Sequence, residues 1–277
     1  MKLVYLGTPA MAAPPLRALV AAGHEIVLVV TAPDKRRGRG SGVSPSPVKA
    51  AALELDLPVS NVVNDVLEAV EREHVELGVV VAFGHLIKPN VLNEVPMVNL
   101  HFSLLPRWRG AAPVERSLLA GDAVTGVCVM KVDEGLDTGG VYAQAEVPIG
   151  DEATADDLRQ TLLDVGTKLL VETLSNPVGD WIGNAQAQMG EATYAAKFVR
   201  EDFEIDWQQP VEAIHRQIRV GGAWTTFRGK RLKVNAARLA DGQLIPVTVQ
   251  PEGKAAMAFE SWRNGAQLAP DELFGDL

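Results

Sequence analysis

The chain has 277 residues and a net charge of −9, and 47% of its residues are hydrophobic. This length predicts two domains with enough residues for an extended core. The acidic balance excludes a protein that coats nucleic acid without specificity, because phosphate contacts need concentrated positive charge, and the single cysteine excludes disulfides and cysteine-based zinc sites.

The sequence begins with MKLVYLGTP, in which residues 2–6 are already a predicted strand. No positively charged segment, long apolar segment or cleavage-like site precedes that strand, so no secretory leader is predicted. Later apolar runs such as VVVAF fall far short of the roughly 20 residues that cross a bilayer. We therefore expect a cytoplasmic protein without a membrane helix.

Strands and helices alternate along the first 175 residues. Short β-rich runs bounded by turns predict strands, and apolar residues at helical spacing predict helices between them. The predicted strands are 2–6, 25–31, 77–82, 97–100, 125–132 and 141–148. The predicted helices are 11–22, 47–55, 65–73, one after Pro113, and 154–174. This alternation predicts an α/β, Rossmann-like domain with a mostly parallel sheet, whose ligand site lies beyond the carboxyl ends of the strands.

The remainder of the chain predicts a smaller unit. Residues 176–205 are polar and rich in Asn, Gly and Gln, which is typical of a linker. A helix at 210–219 and strands at 224–228, 230–236 and 245–250 follow it, and they predict a small β-rich domain. The predicted organisation is a catalytic domain at 1–175, a linker at 176–205 and a small C-terminal domain at 206–277.

Asn99 and His101 stand two residues apart at the end of a predicted strand, so strand alternation puts both side chains on one face. An amide donor beside an imidazole suits acyl transfer to an amine, which needs a donor for the developing oxyanion and a group that moves a proton. Taken alone, the pair is more often a strand-end turn former and a satisfied core histidine.

Asp137 lies in the sequence EGLDTGG, which follows a neighbouring predicted strand. Its loop should reach the same edge of the sheet, where a carboxylate can orient the imidazole, stabilise its protonated form or hold a water. The alternative is an ordinary turn aspartate that binds its own backbone. Together the three residues predict a catalytic site.

The string HFSLLPRWRGAAPVERSL, followed by TGV and GLDTG, closely resembles the folate-dependent formyltransferases, in particular those that act on methionyl-tRNA. The likeness extends over nearly the whole chain, through GTP after the first strand, PDKRRGRG, SPSPVK, VVVAFG, TYAAK and WTTFRGKRLKV. It implies Asn99, His101 and Asp137 as the catalytic residues. It also implies folate contacts from Ser103, Leu104, Leu105 and Pro106.

Two further segments are interpreted as parts of the folate site. The turn at 7–9 has neither the glycine spacing nor the lysine of a nucleotide loop, and we interpret it as a turn that closes the site. The run VVVAFG, which ends in Phe83 and Gly84, offers an apolar wall for a pterin ring. A plain core strand explains that run equally well without the resemblance.

The resemblance implies 10-formyltetrahydrofolate as the donor and no metal or nucleotide cofactor. The acceptor amine would attack the formyl carbon and form a tetrahedral intermediate. Asn99 and a protonated His101 would stabilise its oxyanion. Asp137, directly or through a water, is a candidate for taking the proton of the amine.

A basic loop is the feature of the sequence that best distinguishes a tRNA acceptor from a small-molecule acceptor. The loop PDKRRGRGSGVSPSPVK carries four cations within five residues, and these suit phosphate contacts. With the resemblance, the loop predicts initiator methionyl-tRNA as the partner, bound by Lys35, Arg36, Arg37 and Arg39. A solvated loop without a partner is the alternative for the cations. For the function, the alternatives are formylation of an amino sugar nucleotide and a non-catalytic folate- or RNA-binding module.

The C-terminal part departs from the family pattern. The chain passes from LKVNAARL to VQPEGK in about a dozen residues, where the family carries additional strands, and it has RVGGAWT where the family has a Pro-rich turn. We therefore expect a shortened, OB-like domain that contributes less to RNA binding. We also expect a monomer.

Overall fold

The computed structural model describes residues 1–36 and 43–267. Its strands are β1 (Lys2–Gly7), β2 (Glu25–Val30), β3 (Lys35–Arg36), β4 (Val43–Ser44), β5 (Val59–Ser60), β6 (Leu77–Val81), β7 (Met97–His101), β8 (Arg109–Gly110), β9 (Val124–Lys131), β10 (Val141–Pro148), β11 (Tyr194–Ala195), β12 (Trp224–Phe227), β13 (Lys230–Ala240), β14 (Gln243–Pro251) and β15 (Met257–Ala258). Its helices are α1 (Ala13–Ala21), α2 (Pro47–Glu54), α3 (Asp65–Glu73), α4 (Pro89–Leu92), α5 (Pro113–Ala120), α6 (Ala155–Thr173), α7 (Val178–Trp181), α8 (Val211–Val220) and α9 (Phe259–Ala266). Short 3₁₀ turns occupy Ala10–Ala12 and Arg200–Phe203.

The described residues form two compact units. The first unit draws on 1–111, 125–147 and 160–195, and the second on 112–124, 148–159 and 196 onwards. The segment predicted as a linker contains α7 and β11, which the sequence did not predict. The division of the chain at residues 175 and 205 stays a prediction.

A seven-stranded sheet in the order β10-β9-β7-β6-β1-β2-β5 organises the first unit. Pairing is parallel from β7 through β6, β1 and β2 to β5, whereas β7 and β9 run antiparallel. All five residues of β6 are buried, as expected for a central parallel strand with both faces covered. The predicted α/β fold with a mostly parallel sheet is confirmed.

Local chemistry fixes where the helices begin and end. At the start of α2, the Ser46 hydroxyl accepts a hydrogen bond from the backbone N–H of Lys49 at 2.9 Å, and proline follows at the first helical position. The predicted bounds of α3 are confirmed, and that helix ends where His74 turns left-handed at φ 54°. In the described parts of the chain, no helix combines the length and apolarity needed to span a bilayer.

The second unit contains a four-stranded antiparallel sheet in the order β12-β13-β14-β15. Strands β13 and β14 form a hairpin whose turn residues, Asp241 and Gly242, have φ values of 51° and 72°, as a two-residue hairpin turn requires. Helix α8 buries Ile214 and Ile218 against Val234. The predicted small β-rich domain is confirmed, although the sequence did not predict β15 or α9.

The single cysteine provides a first test of the core. Cys128 is a free thiol with no exposed surface, and burial raises its pKa to about 11. Because the thiolate is the reactive form, we expect the folded protein to resist iodoacetamide at pH 8 and to react quickly once unfolded in guanidinium chloride. Mass spectrometry of the alkylated protein measures both rates. A folded-state rate close to that of the unfolded chain would contradict this burial.

A glycine in β9 provides a second test. A Cβ atom at Gly126 would lie 2.2 Å from the carbonyl oxygen of Ala145 and 2.5 Å from Leu104 Cδ2, whereas at Gly183 it would meet nothing within 4 Å. We expect Gly126→Ala to cost about 1–3 kcal/mol, the range for overpacking a core, and to lower the melting temperature by several degrees. Gly183→Ala is the matched control and should leave the melting temperature unchanged. Equal melting temperatures for the two variants would contradict the packing of β9 described above.

Candidate active site

Asn99 and His101 lie on one face of β7, as predicted. Asn99 is opposite Met130 of β9, and His101, the last residue of the strand, is opposite Cys128. His101 is only 5% exposed, while Asn99 is half-buried. The strand therefore brings an amide and an imidazole side by side to the edge of the sheet.

The loop between β9 and β10 brings Asp137 to the same place. Asp137 itself is left-handed, with φ 50°. A Cβ at Gly135 would lie 2.3 Å from Thr138 Oγ1, and one at Gly139 would lie 2.0 Å from the carbonyl oxygen of Lys131. Glycine is thus required at Gly139, where the backbone leaves no room for a side chain, whereas a Cβ at Gly135 would displace the side chain of Thr138. The winding turns the Asp137 carboxylate toward β7.

The carboxylate contacts both the imidazole and a backbone N–H. Oδ2 of Asp137 lies 3.6 Å from Nδ1 of His101 and accepts a hydrogen bond from the N–H of Gly110 at 2.8 Å. The other ring nitrogen, Nε2, lies 3.0 Å from the carbonyl oxygen of Trp108. A carbonyl can only accept, so Nε2 carries a proton in this contact. A protonated ring can therefore donate from both nitrogens, toward Trp108 and toward Asp137.

Two polar groups at the site are left for a ligand. Among the described residues, neither the side-chain amide of Asn99 nor Oδ1 of Asp137 has a hydrogen-bond partner. The side chains of His101 and Asp137 are 6% and 14% exposed. Charges in such a largely desolvated site interact more strongly than they do in water. The arrangement thus brings a neutral amide, an imidazole and a carboxylate oxygen to the same edge of the sheet.

The loop after β7 is held by residues that the sequence reasoning missed. Trp108 is left-handed at φ 62°, and its N–H donates to Thr193 Oγ1 at 2.9 Å. Strand β8 pairs in parallel with β11, and the guanidinium of Arg109 donates to Gln188 Oε1. These anchors are single residues or residue pairs without periodicity, so only the resemblance at TYAAK marked this segment.

The residues predicted to bind folate lie in three different settings. Ser103 is fully buried and donates to the carbonyl of Arg107 at 2.6 Å, Leu105 and Phe83 are buried, and Gly84 is exposed and left-handed at φ 75°. Leu104 and Pro106 are half-buried. A folate contact from any of these six residues stays a prediction.

Two of the four residues predicted to bind tRNA lie in a described strand. Lys35 is exposed, and together with Arg36 it forms β3, which pairs antiparallel with β4. Arg37 and Arg39 lie outside the described residues. Among the residues that are described, no group of three or more His, Cys, Asp or Glu side chains could hold a metal ion.

Comparison with known proteins gives consistent matches. A family model described as Formyl transferase matches residues 1–174, and one described as Formyl transferase, C-terminal domain matches residues 197–243. A methionyl-tRNA formyltransferase of Jannaschia sp. is 40% identical, with 98% of each chain covered. One of Heliobacterium modesticaldum is 41% identical and covers 92% of this chain and 83% of its own.

The fold also matches a solved structure. An N-formyltransferase of Helicobacter canadensis, solved with folinic acid and dTDP-3-aminofucose, superposes with a TM-score of 0.68 at 19% identity, covering 93% of this chain and 98% of its own. At that identity the superposition establishes the shared fold, and it carries no information on the acceptor.

The unpaired amide of Asn99 leads to a stability prediction. Because it has no partner in the described structure, Asn99→Leu removes no hydrogen bond and should leave the melting temperature unchanged or slightly higher. Ser103→Ala removes the bond to the Arg107 carbonyl and should cost about 1 kcal/mol. Thermal unfolding of the two variants measures the difference. A clear loss of stability in Asn99→Leu would show that the amide is engaged in the folded protein.

Proposed function

The chain belongs to the formyl transferase family, and we propose that it transfers the formyl group of 10-formyltetrahydrofolate to the amino group of methionyl initiator tRNA, with Asn99, His101 and Asp137 as its catalytic residues. The observation that carries this proposal is the contact of His101 with Asp137 beside the unpaired amide of Asn99. A donor, a proton-transfer group and a carboxylate are what formyl transfer to an amine requires.

The acceptor follows from the relatives rather than from the fold. Relatives named methionyl-tRNA formyltransferase match at about 40% identity over almost the whole chain, whereas the structure solved with an amino sugar nucleotide is 19% identical. The shared fold supports formyl transfer in general. The high, full-length identity favours methionyl-tRNA over the amino sugar nucleotide.

The reaction forms one carbon–nitrogen bond and breaks another. The acceptor amine attacks the formyl carbon, and the carbonyl electron pair moves onto the oxygen. The amide of Asn99 and a protonated His101 stabilise that oxyanion. When the intermediate collapses, the bond from the formyl carbon to the folate nitrogen breaks and that nitrogen takes up a proton. In this proposal Oδ1 of Asp137, which has no partner among the described residues, accepts the proton lost by the amine, directly or through a water.

The geometry of His101 limits how it acts. Its ring nitrogens face the Trp108 carbonyl at 3.0 Å and the Asp137 carboxylate at 3.6 Å. An N–H of the ring can reach a substrate oxygen only if one of these contacts is exchanged. The contact to Asp137 is the longer one, and the Gly110 N–H still satisfies Oδ2 when it opens. Exchange at Nδ1 therefore leaves the carboxylate anchored.

The remaining parts of the proposal concern binding and organisation. Folate contacts are assigned to Phe83, Gly84 and the sequence SLLP at 103–106. Phosphates of the tRNA are assigned to Lys35, Arg36, Arg37 and Arg39, supported by the exposure of Lys35. The domains are assigned as 1–175 and 206–277 with a linker between them. The protein is assigned to the cytoplasm and as a monomer. Sedimentation of the purified protein tests whether it is a monomer.

Removal of any catalytic side chain tests the core of the proposal. We expect Asn99→Ala, His101→Ala and Asp137→Ala each to lower kcat by at least about 100-fold, the scale for losing an oxyanion donor or an acid–base group. Asp133→Ala, in the same loop but paired only with Lys131, is the control and should retain wild-type turnover. Formyl-methionine formed from 10-formyltetrahydrofolate and charged initiator tRNA is the readout. Near-normal turnover in His101→Ala would refute the catalytic assignment.

Neutralising the basic loop tests the acceptor. We expect the combined change of Arg36, Arg37 and Arg39 to Gln to raise KM for tRNA. The slope of log affinity against log salt should become less steep by roughly 2 to 3, because a protein that makes fewer phosphate contacts releases fewer counterions when it binds. KM for the folate donor should stay unchanged.

The control removes the same charge elsewhere. Arg17, Arg72 and Lys168 are exposed, and each is paired with a glutamate in the first unit. Changing all three to Gln should leave the salt slope at its wild-type value. If the loop variant and this control show equal slopes, the loop does not bind tRNA phosphates.

A further inference from the structure

The side chain of Gln188, in the segment that the sequence predicts as a linker, makes four hydrogen bonds. Its Nε2 donates to the carbonyl oxygens of Asp137 and Gly139, both at 2.8 Å. Its Oε1 accepts from Arg109 Nε at 3.0 Å and Nη2 at 2.6 Å. All of these residues belong to the first unit.

These contacts use everything that a glutamine side chain offers. The amide has two N–H donors and an oxygen with two lone pairs, and each is occupied. Glutamate would present a carboxylate to two carbonyl oxygens and would lose both donations. Asparagine is one methylene shorter and cannot reach both partners from the same backbone position. The contacts therefore specify glutamine at residue 188.

The two carbonyls belong to the loop that positions Asp137. That residue holds a left-handed backbone at φ 50°, a conformation that is unfavourable for a non-glycine residue. The bond from Gln188 fixes the direction of the Asp137 carbonyl and so the orientation of its peptide. Through Arg109, it also ties the loop to β8, whose other residue, Gly110, donates to the carboxylate.

Both ends of Asp137 are thus fastened to the same two-residue strand. The carboxylate is bound directly by the N–H of Gly110, and the backbone carbonyl is bound through Gln188 to the side chain of Arg109. Without the second fastening, the backbone of Asp137 is no longer tied to Arg109, and the carboxylate keeps its bond from Gly110 on a loop whose position is less well fixed. Misplacement of a reacting group by about 1 Å can cost about 100-fold in rate.

We propose that Gln188 is a positioning residue for formyl transfer, which sets the carboxylate of Asp137 against His101 by holding the backbone of the Asp137 loop. This inference rests on the proposed function. Gln188 acts through Asp137, so its substitution should change the chemical step and leave the binding of both substrates unchanged.

The test is a double-mutant cycle on the full-length protein. Gln188→Ala should lower kcat about 10- to 100-fold, with KM for folate and for tRNA within twofold of wild type. In an Asp137→Ala background the same substitution should change kcat by less than twofold, because residues that act as one unit are not additive. Gln186→Ala is the matched control, since that exposed side chain bonds only to the Asn184 carbonyl. It should retain wild-type kinetics.

Each other outcome has a definite meaning. An equal fall in kcat in both backgrounds, or a rise in KM alone, would overturn the positioning role. Wild-type turnover in Asp137→Ala itself would instead refute the proposed catalytic site.

Two further variants guard against misfolding. Gln188→Met keeps the length of the side chain without its hydrogen bonds, and it should reproduce the kinetics of Gln188→Ala while remaining folded. Gln188→Glu keeps the acceptor for Arg109 but loses both donations to the loop, and it should show the same loss of kcat. Wild-type kcat in a folded Gln188→Glu protein would overturn the proposal.

Discussion

The hydrogen bond from the Gly110 N–H to the Asp137 carboxylate is the interaction on which the rest of the candidate site depends. It joins two irregular loops that follow different strands of the sheet, and neither loop has a helix or an extended ladder to stabilise it. At 2.8 Å it is a charge-assisted bond, roughly twice as strong as a neutral one. It engages one oxygen of the carboxylate, and the other has no partner among the described residues.

The same bond requires unusual backbone conformations. Gly110 has φ 115°, and a Cβ there would lie 3.0 Å from the carbonyl oxygen of Ala195. Trp108 and Asp137 are both left-handed without being glycine. Such conformations persist only where the surroundings determine them fully, and here the surroundings are the β8–β11 pairing and the amide of Gln188. The segment after α7 is therefore part of the structural framework of the candidate site.

The sequence predicts the regular part of this design well. Buried runs such as LGVVV and a strong helical pattern at 65–73 define β6 and α3, because burial of whole faces leaves a periodic record in the sequence. The two-residue spacing of Asn99 and His101 likewise predicts their shared face.

The short strands, the role of Gln188 and helix α9 could not be predicted from the sequence, for a physical reason. Strands β8 and β11 contain two residues each, and their paired residues, such as Arg109 and Tyr194, are far apart in the chain, so neither strand carries a periodic signal. Gln188 looks like any polar linker residue, because its importance lies in which carbonyls it meets. Helix α9 was missed although Phe259 and Trp262 are buried, since a single turn of apolar residues beside glycine and asparagine resembles a loop.

The residues proposed for formyl transfer and those proposed to bind the acceptor lie in different parts of the first unit. A protein solved with an amino sugar nucleotide shares the fold at 19% identity, so the fold itself is compatible with different acceptors. The groups proposed for catalysis lie on β7 and its neighbouring loop in the first unit, whereas the exposed Lys35 lies on β3, a separate strand of that unit. Under the proposed assignment of tRNA phosphates to residues 35–39, changes there would alter binding of the acceptor without moving Asn99, His101 or Asp137. Selection for a new acceptor would then act on loop residues, which cost little stability when they change, while the hydrogen bonds from Gly110 and Gln188 hold Asp137 in place.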